Sequence, residues 1–243
     1  MKRRPAQRAA GLEDRSHLFL SSSRPDSGRA AGERPAVIYL CAAAPAFVRA
    51  MAAAGTARAL EASGMDVTLI ETGAGLPNAG YYFGLPARDY LSPSVCPGSV
   101  VEGRATPALR YFCFRELPDP FTPPPGPSMP GRPRVTVVAY GPPDSFERMP
   151  FEPGEAAALV LFDLEGGSPF GESERDSFET HRPEMPVFLV SKAHCGEGAE
   201  RPPARVLPDT VIGRLADRAV SSDPFFYGLS SEILQRIVSA VSG

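Results

Sequence analysis

The chain has 243 residues, a formal net charge of −3, 43% hydrophobic residues and 22% charged residues. This length suits one large α/β domain with a well-buried core and additional segments, rather than two small domains. No run approaches the roughly 18 consecutive apolar residues of a spanning helix, which excludes a transmembrane segment. The first 34 residues hold no signal-peptide core, because the apolar stretch at 17–20 is too short, and a cytoplasmic location is expected.

In chain order, residues 1–34 form a polar leader with eight basic residues against four acidic ones, so that the body 35–243 is acidic. A basic arm on an acidic body suits nucleic acid, a membrane surface or an acidic partner. Terminal segments of this composition are generally solvated and flexible, and a disordered arm is expected, with nucleic-acid binding as the alternative. An apolar strand follows at 37–41, then an alanine-rich helix over 47–62, a stop at Gly64 and a second strand over 67–70. Strand, helix and strand in this order make a βαβ unit, the seed of a mostly parallel sheet flanked by helices.

Further strands are expected at 134–140 (RVTVVAY), 157–163 (AALVLFD) and 187–191 (VFLVS), with weaker ones near 111–114 and 205–207. The segment 117–134, LPDPFTPPPGPSMPGRPR, cannot sustain a helix or an interior strand and reads as a surface loop, because proline lacks a donor and restricts its neighbour. Helices are expected around 171–180 and 210–221. A closing helix over 230–241 sets Ile233, Leu234, Ile237, Val238 and Val241 on one face. Its polar face carries only Arg236 opposed by Glu232, which suits packing on the sheet better than membrane targeting.

Residues 37–84 resemble the MinD/ParA family of deviant P-loop ATPases, whose first strand runs into K-G-G-x-G-K-[ST] and whose second ends in D-x-D. The likeness runs without a gap. It sets Ala44 at the early signature lysine, Pro45 and Ala46 at the paired glycines, and Val48, Arg49, Ala50 and Met51 at G-K-[ST]-[ST]. The family's two aspartates fall on Glu71 and Gly73, and its G-L-x-N is kept as Gly75, Leu76, Pro77 and Asn78. Asp163, followed by Leu164, Glu165 and Gly166, resembles the D-x-x-G landmark whose aspartate lies near the magnesium shell. An aspartate at a strand end also shapes the turn that follows, which is the alternative role.

A P-loop works through glycines that aim backbone amides at phosphates, a lysine that reaches the β and γ oxygens, and a hydroxyl that holds the metal. Pro45 removes a donor, Arg49 is planar where lysine is compact, and Ala50 and Met51 supply no hydroxyl. The resemblance therefore implies a P-loop-like, shortened domain over 35–243 that does not hydrolyse ATP, with no catalytic residue and no resident cofactor. It implies an interaction module that pairs with an active paralogue or a machine component, or dimerises, through an exposed 75–82 loop bearing Leu76, Asn78, Tyr81 and Tyr82. The alternative is an ATPase with a non-standard loop, in which Arg49, Glu71 and Asp163 bind nucleotide at the strand ends. Cys41, Cys96, Cys113 and Cys195 show no C-x-x-C spacing, and His194 next to Cys195 has no further ligand at finger-like spacing, so no metal site is expected.

Overall fold

The computed structural model describes residues 36–72, 78–86, 100–114, 129, 131–140, 156–163, 185–191 and 205–242. The expected arm at 1–34, the helix around 171–180, most of the proline-rich loop, Cys96, His194 and Cys195 lie outside these residues.

Eight strands form one sheet: β1 (Ala36–Ala43), β2 (Asp66–Thr72), β3 (Val100–Thr106), β4 (Leu109–Phe114), β5 (Arg134–Tyr140), β6 (Ala157–Asp163), β7 (Val187–Ser191) and β8 (Arg205–Val206). Their order is β3-β4-β2-β5-β1-β6-β7-β8, and every pairing is parallel except β3 with β4. The chain is thus an α/β protein with a mostly parallel sheet, as its alternating pattern predicts. β1 and β6 are apolar without alternation because both of their faces are buried, as is usual for central parallel strands.

The helix α1 (Ala46–Ala62) follows β1 and is buried nearly all round. It lies between the sheet and two later segments, the 3₁₀ turn Arg218–Ser222 and the long helix α4 (Pro224–Ser242). Alanine suits this layer twice, as the best helix former and as a side chain short enough for close approach on every side. Gly55 shows how close: a Cβ there would stand 2.5 Å from the Phe226 ring of α4. Gly64 ends the α1 turn with a φ of 89°, the left-handed conformation that glycine adopts freely, and releases the chain into β2.

One strand is unanticipated and two expectations are corrected. β3 has no counterpart in the sequence reading, because VVEGRAT mixes charge and glycine. It forms as an edge strand that folds back on β4, where exposed charges are tolerated. The helix expected over 210–221 divides into α3 (Asp209–Ile212) and the 3₁₀ turn, whose start is capped by Asp217 accepting the Ala219 N–H at 2.9 Å. The closing helix begins at Pro224, and its buried stripe is Phe226, Leu229, Ser230, Ile233 and Ile237, with Val238 63% exposed. Among the described residues, no helix is long and apolar enough to cross a membrane.

Candidate functional site

In an open α/β sheet the ligand crevice lies beyond the carboxyl ends of the strands, where neighbouring connections leave in opposite directions. Here β1 connects to β2 on one side, while its neighbour β6 leads to β7 on the other. Register brings Ala43 of β1 beside Asp163 of β6, so the β1–α1 junction emerges next to the Asp163 backbone. The Asp163 side chain lies outside the described residues.

The junction itself is Ala44 and Pro45 alone, since β1 ends at Ala43 and α1 starts at Ala46. Pro45 occupies the N-cap position with a φ of −53° and a ψ of 152°, and no side chain caps the helix. Its carbonyl accepts the N–H groups of Val48 at 2.9 Å and Arg49 at 3.2 Å, closing the first turn. A phosphate-cradling loop needs several consecutive amides with glycine freedom between strand and helix. Two residues, one of them proline, leave no such cradle.

Apart from Arg49, the positions after it are equally apolar. Val48, Ala50 and Met51 point into the core, with Ala50 and Met51 fully buried. Phe47, by contrast, is 38% exposed on the first turn of α1 although it is a large apolar residue. The sequence reading assigned Phe47 no role of its own, and only the geometry separates it from the buried side of the helix. Arg49 is half-buried, and its charge bears on Glu71.

Glu71, near the carboxyl end of β2, is buried and committed internally. Its Oε2 accepts the Ala79 N–H at 2.8 Å and the Tyr111 hydroxyl at 2.9 Å. Ala79 opens the short helix α2 (Ala79–Phe83), and Asn78, at its N-cap position, provides no side-chain cap. Glu71 therefore supplies from a neighbouring strand the carboxylate that a helix start favours. Burial raises its pKa above the usual carboxylate range, partly offset by the Ala79 and Tyr111 hydrogen bonds and by Arg49.

The tyrosine pair proposed as an exposed docking loop is built into the fold instead. Tyr82 is 1% exposed, and its hydroxyl donates to the Leu215 carbonyl at 2.7 Å, with the Phe47 carbonyl a second acceptor at 3.1 Å. Burial, then Tyr81 and Glu71, push its pKa up to about 12. Tyr81 donates to the Ala216 carbonyl at 3.0 Å and lies under the Arg218 guanidinium, 4.6 Å from the ring centroid. Asn78 is 2% exposed. Asn78 and Tyr82 are therefore buried under the turn at 215–218, while Tyr81 is half-buried at its edge; Leu76 lies outside the described residues.

Among the described residues, little nucleophilic or metal chemistry surrounds the site. Burial, with Glu71 adding to it, pushes the Cys113 thiol up to about 12, far from the thiolate that nucleophilic attack requires. Among the described residues, no three His, Cys, Asp or Glu side chains group to hold a metal. A scan of the chain against protein-family models finds no match, and a comparison with curated proteins finds none either.

Proposed function

We propose that the chain is a non-hydrolysing relative of the MinD/ParA ATPases, acting as an interaction or regulatory module for a cellular positioning or assembly machine. The observation that carries this reading is the Ala44–Pro45 junction, which leads directly from β1 into an uncapped helix. Phosphoryl transfer depends almost wholly on groups that position phosphates and metal, and this junction offers neither glycine amides nor a hydroxyl. Glu71, at the place of the family's first aspartate, is buried and holds Ala79 and Tyr111 through its Oε2. Among the described residues at the end of β1, Pro45 and the exposed Phe47 stand in the place of the family's glycine-rich loop, and the Phe47 carbonyl accepts from the Tyr82 hydroxyl at 3.1 Å.

The interaction role therefore falls to this edge, with Phe47 as the apolar anchor and Arg49 beside it, rather than to Tyr81 and Tyr82. Aromatic and arginine residues are the types that most often dominate protein interfaces. The test is partner recovery from cell extract with the wild-type chain and with Phe47→Asp. The reading expects a partner that is retained by the wild type and lost by the variant at unchanged thermal stability. Measurable ATP hydrolysis abolished by Arg49→Ala would overturn it.

A further inference from the structure

The opposite, amino end of the sheet carries the polar chemistry that the β1–α1 junction lacks. Alternation divides β4 between the two sheet faces: Leu109, Tyr111 and Cys113 join the core under α1, while Phe112 and Phe114 join the second core on the other side. Arg110 belongs to that second face. Cross-strand register extends it into a row, Arg104 on β3, Arg110 on β4, Thr68 on β2 and Thr136 on β5. One step toward the amino end, Asp66 pairs with Arg134 on the same face. The next row toward the carboxyl end is apolar from β4 onward, with Phe112, Ile70, Val138, Tyr39 and Leu159, and carries the exposed Glu102 opposite Phe112 on β3.

Two arginines directly opposite one another are unfavourable in a sheet, where like-charged cross-strand pairs repel. Arg110 is only 9% exposed, its Nη2 donates to Thr68 Oγ1 at 2.8 Å, and its Nε is buried with no hydrogen-bond partner among the described residues. Asp66 gives partial compensation: its Oδ2 accepts the Met129 N–H at 3.2 Å, and its Oδ1 is also without a partner among the described residues. Among the described residues, the charges acting on Arg110 are Asp66 and Glu102 against Arg104 and Arg134. Arg104 and Arg134 are exposed, so the cluster opens to solvent.

The geometry points to a phosphate-binding site formed by Arg104, Arg110 and Arg134 on the amino end of the β3-β4-β2-β5 face. A dianionic phosphate, free or as a monoester, relieves the Arg104–Arg110 repulsion and suits guanidinium groups, whose planar forks match its oxygens. The site is independent of the β1–α1 edge and of the function proposed for it.

The experiment uses the full chain, with inorganic phosphate and O-phosphoserine as probes and chloride at matched ionic strength as control. Phosphate is expected to raise the melting temperature by on the order of 5 °C near saturation, and chloride to leave it unchanged. Calorimetric titration should show phosphate affinity weakened tenfold or more in Arg104→Ala/Arg134→Ala, whose exposed side chains leave the fold intact, and unaltered in Arg49→Ala. Tighter binding of O-phosphoserine than of phosphate identifies a monoester as the ligand; the reverse order identifies the free anion. An equal response to chloride, a response surviving the double variant, or one abolished by Arg49→Ala overturns the site.

Discussion

The carboxyl end of β1 and the amino end of β2, β4 and β5 belong to one sheet, yet they divide apolar and polar chemistry in the opposite sense to the one a P-loop resemblance suggests. At β1 the chain passes through Ala44 and Pro45 into a helix whose following residues, Val48, Ala50 and Met51, are buried. At the other end Arg104, Arg110 and Arg134 share a face with Thr68, Thr136 and Asp66. Fold and location of chemistry are separate matters: a βαβ unit holds together by packing alone, while a binding site needs polar or charged groups in place.

Both ends depend on a common frame, and the largest expected effect comes from breaking it. Phe226 fills the space over Gly55 between α1 and α4. Phe226→Ala should cost about 3–5 kcal/mol, the usual range for a buried phenyl group. Denaturant unfolding followed by a probe at each end should show one shifted transition; two separate transitions would mean that the ends are not one cooperative unit.

A smaller loss sharpens the role of the tyrosine pair. Tyr82→Phe removes the donor to the part-buried Leu215 carbonyl and should destabilise by about 0.5–1.5 kcal/mol, the usual net worth of one hydrogen bond. The same variant should retain any partner that depends on Phe47. Loss of partner with no loss of stability would return Tyr82 to the interface.

The pH dependence isolates Glu71. Its folded pKa is raised from the usual 4.5, so the folded state holds its proton more tightly than the unfolded state does. The stabilising contribution is therefore complete below pH 4.5 and lost as pH rises through the folded pKa. Glu71→Gln should flatten the stability profile over that window, measured by urea unfolding at a series of pH values; an unchanged slope would remove Glu71 as its source.

The smallest effect is expected at the surface. Arg205 and Glu232 pair at 2.8 Å with side chains 39% and 38% exposed. Glu232→Gln should cost less than about 1 kcal/mol, and less still in high salt, because exposed ion pairs are screened. A larger loss would show that the β8–α4 contact bears more of the fold than the central packing indicates.

The parallel frame was legible because its signals are local. The apolar runs of β1, β5, β6 and β7 and the Gly64 stop needed no tertiary information. The edge strand β3 was not, since its pairing to β4 outweighs a sequence that mixes Glu102, Gly103 and Arg104. Glu71 was singled out by resemblance, but its buried carboxylate under α2 depends on Ala79 and Tyr111, brought together only by folding. The tyrosines looked like an exposed loop because nothing local announces carbonyls at 215 and 216 as their acceptors. The arginine row was hidden for the same reason: Arg104, Arg110 and Arg134 lie on three strands and meet only through register.

The most direct test of the β1–α1 reading is calorimetric titration of magnesium-ATP into the Arg104→Ala/Arg134→Ala chain, which silences anion binding at the other end. The expected result is no saturable heat, because the Ala44–Pro45 junction has no phosphate cradle. Saturable binding that disappears when Arg49→Ala is added would contradict this account and restore a nucleotide site at the end of β1.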